Sequence, residues 1–155
     1  MKILWRIGAV TPDYTADDMS GTGAMRTGGR WNSVGVPVVY AAESIALAVL
    51  ETLAHLRVDG LPLNRYLVRI DVPDKVWEAR SILNPVPVGW DAEPKGIPSI
   101  HSGDKWIASN VSALMAVPSV IVPEEQNVLI NPKHGDSMLV KATMVRKWNY
   151  DSRLF

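Results

Sequence analysis

The 155-residue chain contains no cysteine. Disulfides, thiolate nucleophiles and cysteine-ligated zinc are excluded together. It also lacks net charge, because sixteen basic residues balance sixteen acidic ones. Nucleic-acid binders usually carry a basic excess, so direct binding of DNA or RNA is not expected and only a local basic pocket stays open. No stretch approaches the ~20 apolar residues of a membrane span. The opening MKILWRIGAV has one Lys before a short apolar run broken by Arg6, with neither the core nor the cleavage site of a signal peptide. The expectation is a soluble, cytoplasmic protein with no membrane partner. His55, His101 and His134 are scattered and form no HExxH, so no metal site is expected. There is no Gly-x-Ser-x-Gly elbow, and Gly21-Thr22-Gly23 is not followed by the Gly-Lys-Ser/Thr of a phosphate loop. Repeats and low-complexity tracts are absent too.

What is present suffices for one core: at this length, with 47% hydrophobic residues, residues 1–155 make a single domain. Ile3 to Ile7 reads as a strand, followed by a long loop over residues 8–29. Val36 to Ala41 is a β-branched strand, and Ser44 is placed to cap a helix running to about Leu56. Arg65 to Val72 alternates apolar and polar residues as a half-buried strand does. Pro73, Pro85, Pro87, Pro94 and Pro98 make the next region mostly loop, with a short helical turn at Lys75 to Ala79. A helix is expected over Ser99 to Asn110. Strands follow at Ser112 to Ala116, Ser119 to Val122, Val128 to Ile130 and Met138 to Trp148, with turn residues at Asn131 to Asp136. This order predicts an α+β fold with a mixed or antiparallel sheet, not a doubly wound one.

Residues 21–56 concentrate the chemistry. A glycine-rich loop delivers Arg30, a strand ends at Tyr40, and a largely apolar helix carries one acid, Glu51. A cation, an aromatic hydroxyl and a carboxylate suit a substrate with phosphates, a flat ring and a bond whose breakage develops positive charge. Each residue also has a plainer reading. Ile45, Val49, Leu53 and Leu56 mark a core-facing stripe, while Ser44, Ala48, Glu51 and His55 form a narrow stripe that faces either solvent or a cleft. Most glycine-rich loops are only turns. A strand tyrosine commonly sits at a core edge with its hydroxyl at the surface. Arg6, inside an apolar strand, needs a partner, which a structural Asp or Glu would supply. The tryptophans at 5, 31, 77, 90, 106 and 148 are spread as core and loop anchors, not as a stacking platform.

Several stretches resemble the RES-domain toxins, named for Arg, Glu and Ser, of bacterial type II toxin–antitoxin modules. They are LWRI at 4–7, SGTGAMRTGGRWNSVGVPVVYAAES at 20–44, ALAVLETLAHL at 46–56, VPSVIVPEEQNVLINPKH at 117–134 and DSRLF at 151–155. The resemblance runs from end to end, is loose over 73–110, and implies a fold related to ADP-ribosyltransferase toxins of the diphtheria type. It implies NAD as substrate, Glu51, Arg30 and Tyr40 as catalytic residues, and Arg6, Arg30, Tyr40, Ser119 and Asn131 as NAD-binding ones. Arg6 and Arg30 would grip the pyrophosphate, Tyr40 would pack on nicotinamide, and Glu51 would face the oxocarbenium-like ribose. The leading expectation is NAD depletion by transfer of ADP-ribose to water or phosphate. Transfer to a protein is the alternative, and a non-catalytic nucleotide-binding module is a third reading. The resemblance further implies an Xre-like antitoxin laid over the active site; it leaves a homodimer open.

Overall fold

The computed structural model describes residues 1–55 and 63–154. One seven-stranded sheet organises them, in the order β4-β5-β6-β2-β1-β3-β7. The strands are β1 (Lys2–Ala9), β2 (Val39–Ala42), β3 (Arg65–Val72), β4 (Ser81–Ile82), β5 (Leu114–Pro118), β6 (Gln126–Ile130) and β7 (Lys141–Lys147). Four helices accompany them: α1 (Thr22–Thr27), α2 (Ile45–Leu53), α3 (Asp74–Glu78) and α4 (Ile97–Ser109). All neighbouring strands are antiparallel except β4 and β5, whose parallel pairing is spanned by a crossover containing α4. The fold is therefore α+β with a mixed sheet, as the order of sequence signals predicts.

Several elements depart from the sequence reading for identifiable reasons. The 8–29 segment contains α1, which the glycines around it disguise; the helix starts after Gly21, at φ 75°. Ser119 to Val122 is a turn, because the Ser119 hydroxyl accepts from the Ile121 and Val122 amides at 3.1 Å each and diverts the backbone from pairing. Met138 and Leu139 close a 3-10 turn over Gly135–Leu139, so β7 starts only at Lys141. The helix over 99–110 begins two residues earlier, with Pro98 in its first turn. Leu56, the expected end of the helix that Ser44 opens, lies outside the described residues.

α2 is oriented differently from the expected stripe. Ser44 caps it by accepting the Leu47 amide at 3.0 Å. The flank laid on the sheet contains Leu47 and Ala48, 1% and 5% exposed, whereas Ile45 and Val49 only border that contact and Leu50 is 40% exposed. Leu47 and Ala48 pack with Ile7 of β1, Ala42 of β2 and Leu67 of β3. Fully burying one such leucine contributes about 1.5–3 kcal/mol, enough to set the face of a nine-residue helix. Ala48, Glu51, Thr52 and His55 follow at three- and four-residue steps, so the flank carrying Glu51 turns inward.

Candidate active site

The cleft begins where the sheet comes apart. β1 pairs with β3 over its whole length, from Lys2 opposite Val72 to Ala9 opposite Arg65. With β2 it shares one pair, Trp5 opposite Ala42. Continuing that antiparallel register would set Arg6 against Ala41 and Ile7 against Tyr40, but neither pair forms. The strands diverge there instead. Two adjoining chambers, of about 390 and 180 Å³, open at the split. Both are lined by Arg6, Ile7, Tyr40, Thr52 and His55. Together they reach the range of small-molecule pockets, on the order of 300–1,000 Å³. The smaller chamber adds Glu51, Ala48 and Asn127; the larger adds Tyr14, Asp18 and Arg65.

Arg6 is a cation that the fold leaves unpaired. Its Nε is buried without a hydrogen-bond partner, and among the described residues no carboxylate lies within ion-pair distance. Burial lowers its pKa, while Asp18 and Tyr14 pull the value back up. Guanidinium stays protonated in proteins, so this is a fixed positive charge at the junction of the two chambers. The structural carboxylate partner that a buried strand arginine would ordinarily require is not in contact.

Tyr40 presents its ring to both chambers but not a free hydroxyl. The hydroxyl donates to Asn32 Oδ1 at 2.7 Å and accepts the Trp31 amide at 3.0 Å. Burial pushes its pKa up most; the Trp31 amide and Arg30 act the other way, and Asp104 adds to the rise. The phenol therefore keeps its proton. Gly29 makes this contact possible, since a Cβ there would stand 2.6 Å from the Tyr40 oxygen and 2.8 Å from Asn32 Oδ1. The glycine beside Arg30 thus serves a close approach within the protein.

Glu51 is held from outside its own helix. Ser119 donates to its Oε1 at 2.6 Å and the Asn127 amide donates to the same oxygen at 2.9 Å. A hydroxyl has one proton and two lone pairs. Both lone pairs of Ser119 are taken by the Ile121 and Val122 amides, so its proton is committed to Glu51. Ser119 is fully buried, which suits a support for the carboxylate and not a nucleophile.

Arg30 and Asn131 sit elsewhere. Arg30 donates to the Trp90 and Ala92 carbonyls at 3.0 and 2.8 Å and pairs with Glu93 at 2.8 Å. Trp31 stacks on Trp90 beside it, with ring centroids 6.2 Å apart. Three acceptors from the 90–93 segment draw the guanidinium there, and Arg30 lines neither chamber. The expected convergence of Arg30, Tyr40 and Glu51 is replaced by one of Arg6, Tyr40 and Glu51. Asn131 is buried; its side chain accepts the Lys133 amide at 3.0 Å and donates to the Ile107 carbonyl at 3.3 Å, bracing a turn against α4. It too lines neither chamber. Asn127 was not singled out from sequence, although an asparagine heading the run Val128-Leu129-Ile130 is disfavoured in a strand and is a signal of that kind. No group of three or more His, Cys, Asp or Glu able to hold a metal occurs among the described residues.

This geometry belongs to a chain whose residues 3–152 match the RES domain. It is similar to the Prs ADP-ribosylating toxin of a Sphingobium species, with 59% identity over 152 residues, covering 97% of this chain and 94% of that protein. It is 40% identical to the toxin Res of Pseudomonas putida over 155 residues, 99% of each chain. The toxin Res of Photorhabdus laumondii is 37% identical over 153 residues, 98% of this chain and 96% of that one. Matched over nearly its whole length, the chain belongs to the RES-domain family.

Proposed function

We propose that the chain is a toxin that breaks the nicotinamide–ribose bond of NAD in the cleft between β1 and β2. The observation that carries this reading is the pairing of an anchored carboxylate, Glu51, with an unpaired buried cation, Arg6, across one small chamber. Arg6 supplies charge for the pyrophosphate. The ring of Tyr40 supplies a flat face for nicotinamide, with its hydroxyl already engaged. Glu51 faces the ribose, where departure of neutral nicotinamide leaves an oxocarbenium-like cation. The leaving group needs no proton, which fits a site whose tyrosine holds its own. Ser119 acts through Glu51. Arg30 is proposed to order the 90–93 segment beside the Tyr40 support, and Asn131 to brace the fold.

The acceptor of ADP-ribose separates two readings. Transfer to water or phosphate, with NAD depletion, requires only a small acceptor that enters the cleft. The 59% identity to a Prs ADP-ribosylating toxin favours transfer to a protein, with Prs as the acceptor to test. Either chemistry places the toxin in the cytosol with NAD and calls for restraint by an antitoxin, here an Xre-like protein seated over the cleft. NAD labelled in its adenylate half, incubated with purified toxin and with or without Prs or phosphate, distinguishes the outcomes. Label on Prs supports protein modification, and free ADP-ribose or its phosphate ester supports depletion. Adding the antitoxin should abolish either product together with NAD binding. NAD left intact under all conditions contradicts the proposal, and a complex that binds NAD as well as free toxin contradicts occlusion.

A further inference from the structure

We propose that Asn127 is a positioning residue that determines which oxygen of Glu51 meets the substrate; this rests on the NAD-cleaving reading. The Asn127 backbone is fixed on both sides, opposite Ala42 of β2 and Val117 of β5. Cross-strand partners share a face, and Ala42 packs beneath α2. The amide is therefore aimed at the helix from a central strand that cannot easily shift. Its Nδ2 donates to Glu51 Oε1 at 2.9 Å, and Ser119 donates to the same atom at 2.6 Å. The reverse amide orientation would set two acceptors against each other, so the network fixes which end faces Glu51.

A carboxylate oxygen offers two lone pairs in its plane, and both of those on Oε1 are engaged. Oε2 makes no hydrogen bond among the described residues and is the oxygen left for the cleft. Ser119 alone would not secure this. The terminal torsion of a glutamate is broad, and a single hydrogen bond allows the carboxylate to turn about it. A second donor, from a different element, sets the plane. Asn127 thus converts a tethered acid into one with a defined free oxygen.

The test measures nicotinamide release by wild type, Asn127→Ala and Asn127→Asp across pH. N127A should lower kcat roughly 10- to 100-fold, as loss of one hydrogen bond to a charged group does, with KM for NAD within about twofold. N127D keeps the shape but sets a second carboxylate against Glu51, and such a pair retains one proton more tightly than either acid alone. Its activity relative to wild type should therefore rise as pH falls from about 8 to about 5.5, when a shared proton restores a donor. The other titratable or charged groups lining the chamber are Arg6, Tyr40 and His55, present in both proteins and cancelling in the ratio. The N127A ratio should stay flat with pH. An asparagine that only supported the fold would not give this contrast. Unchanged kcat in N127A, or a flat ratio for folded N127D, overturns the proposal; where N127D does not fold, N127A decides it. Wild-type protein that releases no nicotinamide overturns the NAD reading and this proposal with it.

Discussion

Tyr40 joins the glycine loop to the cleft through one oxygen, and its proton is what keeps both partners satisfied. Replacing it by phenylalanine strands the Trp31 backbone amide and the Asn32 side-chain oxygen Oδ1 in a buried setting, since Asn32 is 1% exposed. An unsatisfied buried group costs about 1–3 kcal/mol, so Tyr40→Phe should destabilise the fold by about that amount near neutral pH. The effect carries a pH signature. Burial raises the folded-state pKa above the ordinary tyrosine value, so the unfolded chain loses this proton first. The stabilisation is complete below about pH 10 and declines as pH rises beyond it. Urea unfolding of both proteins should show a wild-type advantage that shrinks above about pH 10; an advantage constant into alkali would mean the phenol is not buried as described. Arg6 and Glu51 differ from Tyr40 in legibility. A lone arginine in an apolar strand is conspicuous in sequence, but whether a carboxylate meets it depends on where Asp18 falls in space. For Glu51, spacing left solvent and cleft equally open, and the donors that decide it come from residues 68 and 76 positions away.

Elements with local signals were readable, and their orientations were not. Arg65 to Val72 alternates cleanly and forms a strand with those bounds, and Ser44 caps α2 as its side chain dictates. The sheet-facing flank of α2 was unreadable because that helix is apolar on nearly every side; the sheet chooses Leu47 and Ala48. The placement of Arg30 was unreadable for a related reason: a guanidinium after two glycines suits an anion, but three acceptors on a distant loop hold it in this structure. α4 shows the same conflict between local propensity and contact. Glycine inside a helix normally costs about 1 kcal/mol relative to alanine, so propensity alone predicts that Gly103→Ala stabilises. A Cβ at 103 would lie 1.7 Å from the Trp31 carbonyl oxygen and 2.6 Å from its carbon. Backbone on the far side cannot step aside as a side-chain end can, and overpacking of this kind costs about 1–3 kcal/mol or more. G103A should therefore lower the thermal midpoint. Because Trp31 neighbours both Arg30 and the Tyr40 contact, it should also lower NAD turnover. A raised midpoint would show that α4 does not press on the loop.

At the scale of the whole molecule, the proposed cleft exists because the sheet fails to close at one place. The class of the fold followed from the order of strand and helix signals, but the strand order did not, because β1 lies between β2 and β3 while β2 reaches forward to β6. Such pairings are set by tertiary contacts, not by local propensity. The split after Trp5 and Ala42 is what brings three separate elements to one chamber: Arg6 from β1, Tyr40 from β2 and Glu51 from α2. The central claim is that the Glu51 charge, held there by Ser119 and Asn127, breaks the nicotinamide–ribose bond. Nicotinamide release by Glu51→Gln measures this directly, because the amide retains size and some hydrogen bonding but loses the charge. Removing one preorganised electrostatic contact of this kind typically costs about 2.7–4 kcal/mol, or roughly 10²–10³ in rate. The account predicts a loss of that order in a protein that still unfolds cooperatively; release by folded E51Q at the wild-type rate would contradict it.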